Sequence, residues 1–193
     1  LPEVSTVVNN ISLSCYGGET ALAAYAVIAY VAFFVQIMIQ SVGDGSQPLI
    51  SVYRGAGDAD VVRRLRNTNY LVAIAFGFVG LGIMFAVRNA IPLLFGASDI
   101  VKPVIAYALP VFSICYIFYG FTHTTTSYFY AVDDSRSSNT LVIAESIIVC
   151  VVVFIMGLLF QVDGIWFSPT VLQMLLCIIA GTLLYRRHKA QKE

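Results

Sequence analysis

The chain has 193 residues, of which 59% are hydrophobic and only 11% charged, and its acidic and basic residues cancel to a formal net charge of zero. That much apolar surface, at a mean hydropathy of +0.83, excludes a water-soluble domain built around one core, because so short a chain leaves much of its surface in solvent. A neutral chain also carries no global signal for nucleic acid or another polyanion. Lipid accommodates the composition if each backbone group is hydrogen-bonded within a helix or a closed barrel. The apolar runs are continuous instead of alternating, so an all-α bundle of antiparallel transmembrane helices is expected.

In chain order, Leu1-Pro2-Glu3 opens on what reads as a helix already under way, with no initiator Met and no signal peptide. A fragment of a longer protein, with its first helix truncated, is therefore expected. Residues 4–16 form the remnant of that first span, and Gly17-Gly18-Glu19-Thr20 is a turn followed by a Thr N-cap. Uncharged stretches long enough to cross ~30 Å of hydrocarbon recur over 20–43, 67–87, 103–132 and 164–185, and over 137–162 with Glu145 as the one interruption. Connections fall at 55–58, 96–99, 133–136 and 162–164, short enough to make sequential helices antiparallel neighbours. The predicted layout is one lobe over residues 1–187, with spans of about 1–16, 20–50, 66–95, 101–131, 138–161 and 164–186, and a tail over 188–193. Cys15, Cys115, Cys150 and Cys177 form no CxxC pair, and packing is favoured over disulfide or metal chemistry.

Orientation follows from the eleven basic residues. Arg54, Arg63, Arg64, Arg66, Arg136, Arg186, Arg187, Lys189 and Lys192 fall on one side, and Arg88 and Lys102 on the other. The positive-inside bias places the first side and the carboxy-terminal tail in the cytoplasm of a multi-pass plasma-membrane protein. Arg63-Arg64-Leu65-Arg66 is read as that topology signal and not as a nucleic-acid patch, and Arg186-Arg187-His188-Lys189 suits anionic lipid headgroups.

Three carboxylates, Glu3, Asp44 and Glu145, lie inside the spans, and the uncharged stretches hold no Lys or Arg to match them. A charge in hydrocarbon costs at least ~3 kcal/mol on insertion scales, so such residues are turned inward and usually functional. Without a basic partner, each must bind a cation, take up a proton or pair with another part of the protein. Helix rise puts Glu3 and Glu145 near mid-membrane and Asp44 toward the cytoplasmic end. Asp44 has two readings, a coupling acid or a satisfied side chain where Gly43-Asp44-Gly45 breaks the helix locally. His123, the one His within a span, is either a neutral imidazole bonded to neighbouring Thr hydroxyls or a proton relay. Tyr107, Tyr116, Tyr119, Tyr128 and Tyr130 share that span. Tyr116 and Tyr119 sit mid-span, where they serve as packing or hold a lipophilic cation against their ring faces. Pro110 predicts a kink and a hinge.

The stretch Gly43-Asp44-Gly45-Ser46-Gln47-Pro48-Leu49-Ile50-Ser51-Val52-Tyr53-Arg54-Gly55-Ala56-Gly57 resembles the GxGxxxQPLIxYxYGA signature of the MATE family, the multidrug and toxic compound extrusion transporters. Gln47-Pro48-Leu49-Ile50 and Tyr53-x-Gly55-Ala56 carry the match, and Val61-Val62-Arg63-Arg64 also fits. Residues 17–25 resemble the loop that opens the family's eighth helix, and Ser127-Tyr128-Phe129-Tyr130-Ala131 the end of its tenth. The resemblance implies the carboxy-terminal six-helix lobe of a twelve-helix transporter, from within helix seven through helix twelve. It further implies exchange of Na⁺ or H⁺ for organic cations, with Glu3 matching the acid of helix seven that binds the coupling cation, a possible Na⁺ site. The acidic position of helix ten found in some members is occupied here by Tyr119, which leaves Glu145 and Asp44 to supply the missing charge.

The expected function is an efflux antiporter for drugs and other organic cations. It needs no cofactor beyond the coupling ion, Na⁺ or H⁺. Its partners are the lipid bilayer, the amino-terminal lobe of the same protein and small organic cations, with no nucleic acid. A lipid-linked oligosaccharide flippase of the same superfamily is the alternative, but it would prefer basic residues in the cavity. An enzyme is not expected, because Glu3, His123 and Glu145 do not form a catalytic set by spacing. A non-transporting membrane subunit would not need three unpaired acids in lipid.

Overall fold

A computed structural model describes the backbone of residues 2–190 and the side chains of residues 4–189. Among these residues the elements are α1 (Pro2–Gly55), α2 (Ala59–Val87), α3 (Ile91–Leu94), α4 (Lys102–Ser113), α5 (Cys115–Ala131) and α6 (Ser135–Ala190), with no strand. At 1.5 Å per residue, a straight α1 or α6 would run ~80 Å, more than twice the hydrocarbon thickness. Neither is straight. α1 breaks at Gly18 (φ 61°, ψ −159°), and Tyr25 on its second limb faces Thr6 and Asn9 on its first. α6 breaks at Gln161 (φ 52°, ψ −130°), so that Gly164 lies against the backbone of Met156. Both helices are hairpins with almost no loop. With α2, and with α4 and α5 as one crossing, the chain makes six antiparallel crossings over 2–17, 19–55, 59–87, 102–131, 135–160 and 162–190.

Aspartates cap the helices that follow two of the turns. Asp58 caps α2 by accepting from the Val61 amide at 3.1 Å, and Asp134 caps α6 by accepting from the Ser137 amide at 3.2 Å. α2 therefore starts at Ala59 and stops at Val87, earlier at both ends than the 66–95 stretch. Arg63, Arg64 and Arg66 are helical because a charged turn at a helix end still satisfies its backbone. The reversal expected at 162–164 sits instead at Gln161, a non-glycine residue with positive φ. Pro110 lacks the amide that would bond to Ala106, and the weak point appears four residues later, where the Ile114 amide reaches Val111 O at 3.4 Å between α4 and α5. The helix is not broken at Gly43-Asp44-Gly45, contrary to the local break considered above.

One apolar core, which includes Tyr25, Ile28, Leu109, Tyr116 and Trp166, fills the middle of the bundle. A smaller one around Ile50, Phe129 and Leu141 closes the end that carries most of the arginines. Helices α2 and α5 cross closely: a Cβ on Gly77 would stand 2.6 Å from Tyr116 O, and one on Gly120 2.7 Å from Ala73 O. Small residues at such crossings let backbones approach within a membrane. On the outside, Leu71, Phe78, Phe85, Leu158 and Leu159 are all more than half exposed, a belt that suits hydrocarbon and not water. All four cysteines are free thiols.

Candidate functional site

A cavity of about 390 Å³ lies at the centre of the lobe. Helical spacing brings one stripe from each of four crossings to its wall. The second limb of α1 contributes Ala29, Phe33, Gln36 and Gln40, each three or four residues from the next. α5 contributes Tyr119, Thr122, His123, Thr126 and Tyr130 on the same principle. The first limb of α6 adds Glu145, and its second limb adds Gln173. Ser5, Thr6 and Tyr25 close one side.

The polar groups of this wall form a connected set. Gln40 Nε2 donates to the Tyr119 hydroxyl at 2.5 Å. The Thr122 hydroxyl donates to Gln173 Oε1 at 2.6 Å, which leaves the Gln173 amide free to face the Glu145 carboxylate. His123 Nε2 lies 3.1 Å from Asp44 Oδ1, and its ring is 5.6 Å from that of Tyr119. Asp44 Oδ1 also accepts from the Ser127 hydroxyl at 2.8 Å and from Gln47 Nε2 at 3.1 Å. Gly43 makes this possible. A Cβ there would meet Ser127 Oγ at 2.8 Å and His123 at 3.3 Å, so a larger residue would have to push these partners of the carboxylate aside.

This geometry revises several expectations. Asp44 is not toward the end of its helix relative to Glu145: eleven residues separate it from Gly55, and ten separate Glu145 from Ser135, so both lie about 15 Å in from the same end. Nor is Asp44 without a partner, since His123 faces it from 79 residues away in sequence. His123 is not held by neighbouring threonines. Those hydroxyls turn back to their own helix, Thr125 onto Phe121 O at 2.7 Å and Thr126 onto Thr122 O at 3.1 Å. Tyr116 and Tyr119 part company. Tyr119 lines the cavity, whereas Tyr116 is fully buried against Gly77 and Gly80 of α2, its hydroxyl without a partner, and has no access to a ligand. Glu3 lies on α1, and its side chain is outside the described residues.

The signature stretch acts mainly as a clamp. Gln47 holds Asp44, the Ser51 hydroxyl donates to the Ala131 carbonyl at the end of α5 (3.0 Å), and Tyr53 packs on the smaller core. Pro48 sits within the helix and lacks the amide that would bond to the Asp44 carbonyl. Gly55 ends the helix, and a Cβ there would meet nothing within 4 Å. The neutral residues Gln36, Gln40 and Gln173 escaped the sequence reading, which followed charge. An amide in an otherwise apolar span was the signal available.

Among the described residues the wall contains one carboxylate, one imidazole, several neutral amides and hydroxyls, five aromatic rings and no Lys or Arg. Among the described residues no group of three His, Cys, Asp or Glu side chains is disposed to hold a metal ion. No curated protein and no solved structure matches the chain. The MatE family model, however, matches residues 3–156, which is well over half of the sequence and includes Asp44, Tyr119, His123 and Glu145. A helical bundle with a polar cavity at its heart and that match over most of its length place the chain in one group: it belongs to the MATE family of membrane transporters.

Proposed function

We propose that this protein is a cation-coupled antiporter that exports small organic cations in exchange for Na⁺ or H⁺, with the arginine-rich end and the carboxy terminus in the cytoplasm of the plasma membrane. The observation that carries the reading is the cavity wall, whose described residues include one carboxylate, Glu145, and aromatic faces on Tyr25, Phe33 and Tyr119 but no basic side chain. Such a wall attracts a lipophilic cation through charge and ring faces together. The coupling ion competes for the same carboxylate, so its arrival displaces the substrate when the lobes rock. An amino-terminal lobe completes the cavity on its open side. A lipid-linked oligosaccharide carries phosphate and would call for basic residues in the wall, which disfavours the flippase alternative.

Within this scheme Glu145 carries the coupling charge together with Glu3, and the Asp44–His123 pair sets the charge behind Tyr119. The test uses inverted vesicles holding the intact transporter and a fluorescent organic cation. A Na⁺ jump and a pH jump, applied separately, identify the coupling ion by which of them drives accumulation. Glu3→Gln and Glu145→Gln are each expected to reduce that accumulation, and full transport in both variants would sink the reading.

A further inference from the structure

A second cavity, of about 460 Å³, opens at the arginine-rich end, between the end of α1, the start of α2, the end of α5 and the end of α6. Its composition is the reverse of the first. Arg54, Arg63, Arg66 and Arg187 line it, with His188 beside them, against the single carboxylate of Asp60. The floor is aromatic. The guanidinium of Arg66 stands 5.4 Å from the centre of the Tyr128 ring and that of Arg187 5.9 Å from the same ring, so one phenol orients two cations.

Arg187 is the informative residue. Its side chain is only 16% exposed, and Nη1 donates to Asp134 Oδ2 at 2.7 Å. Its Nε is buried and has no acceptor. Buried donors are almost always paired, and a guanidinium presents its five donors in a fixed fork suited to a tetrahedral oxyanion. Arg54 and Arg63 take part in none of the ion pairs formed among the described residues. The site therefore offers several donors of one charge and, within its wall, almost no acceptors.

Its place in the fold selects the ligand. α1 ends at Gly55 and α2 begins at Ala59, so the mouth lies at the level where crossings end and headgroups begin. Val62, Val132 and Leu184 line the wall beside the arginines, an apolar surface for the glycerol and first methylenes of a lipid. We propose that this cavity binds the phosphodiester headgroup of an anionic phospholipid, with Arg187 and Arg66 on the phosphate oxygens and Arg63 and Arg54 at the rim. Basic pockets between membrane helices are the usual receptors for such headgroups. The assignment is independent of the transported substrate and of which ion drives transport.

The test measures thermal unfolding of the purified intact transporter in neutral detergent. Short-chain phosphatidylglycerol is titrated against short-chain phosphatidylcholine, glycerol 3-phosphate and inorganic phosphate. The expected result is saturable stabilisation by phosphatidylglycerol alone, with the half-saturating concentration raised about fivefold by each of Arg63→Gln and Arg66→Gln. Arg187→Gln is expected to abolish the effect. Because that variant loses its bond to Asp134 and is open to misfolding, the exposed Arg63 and Arg54 keep the proposal falsifiable. Equal stabilisation by phosphatidylcholine, or an unchanged titration in the Arg54→Gln/Arg63→Gln double variant, overturns the site. Stabilisation by inorganic phosphate or glycerol 3-phosphate at the same concentration as the lipid overturns the lipid as its occupant.

Discussion

The two cavities of this lobe have similar volumes, near 390 and 460 Å³, and opposite chemistry. Among its described residues the central one has one carboxylate beside amides and aromatic rings. The one at the arginine-rich end has four guanidiniums and one carboxylate. Both use tyrosine rings, so the rings do not decide what binds. The sign and solvation of the nearby charge do. In the central cavity the neutral amide of Gln173 faces Glu145, and at the arginine-rich end the guanidiniums are cationic because arginine holds its proton in any protein environment. On the two proposals above, the same fold would offer a cation a stop in mid-crossing and an anion a stop at the rim.

The largest expected effect is Glu145→Gln, which removes the carboxylate that the described residues bring to the central wall. Hydrogen bonds to charged groups are worth ~1.5–3 kcal/mol, so coupled transport should fall roughly tenfold to a hundredfold. Arg63→Gln in the same vesicle assay should leave the rate within about twofold, the level at which exposed charges far from a site usually act. An equal loss in both variants would erase the distinction between the cavities.

Next comes the ion pair at the arginine-rich end. Arg187→Gln leaves Asp134 with Ser137 as its remaining partner and should destabilise the protein by about 1 kcal/mol, read as a lower midpoint in thermal unfolding. Burial pushes the Asp134 carboxyl up, but the Ser137 amide and hydroxyl and the Arg187 guanidinium outweigh it and hold it below the ordinary carboxylate range. A carboxyl lowered in the folded state contributes stability that is present above its unfolded value of about 4 and is lost as pH falls through the folded value. Wild-type protein should therefore lose part of its stability on acidification below about pH 4, and Asp134→Asn should remove that portion of the loss. A pH–stability curve of unchanged shape in the variant would show that the pair contributes nothing.

Smaller effects separate two tyrosines that sit three residues apart. Tyr119→Phe deletes the acceptor of Gln40 and should weaken cation affinity by about 0.5–1.5 kcal/mol, roughly two- to tenfold in KM. Tyr116→Phe removes a buried hydroxyl with no partner and should leave transport unchanged, with stability unaltered or slightly raised. A larger transport defect in Tyr116→Phe than in Tyr119→Phe would contradict the assignment of the cavity wall.

Much of this architecture was legible in the residues themselves. Long apolar runs and Gly or Asp turns mark crossings because lipid forces each backbone group into a helix. The pairing of Asp44 with His123 was not legible, since it depends on how closely α1 and α5 approach at Gly43, and no local rule states which helices become neighbours. Tyr116 and Tyr119 had the same difficulty. Both lie mid-span, and only the packing of α2 through Gly77 decides which ring faces inward. Gln40 and Gln173 are easily passed over when charge is the guide, yet a buried amide is costly unless paired, and each supplies a hydrogen bond that positions a functional group.

The hairpin turns at Gly18 and Gln161 carry a consequence for motion. Gln161 takes a conformation that glycine tolerates and other residues adopt only under strain, and Gly17 lies against Val162 beside it. Turns this tight leave little slack between limbs, so in a rocking cycle each hairpin would travel as a unit and bending would concentrate at the Pro110–Ile114 step. In mechanical terms the lobe would then have six crossings but fewer moving parts, with its joint in the span that carries Tyr119 and His123.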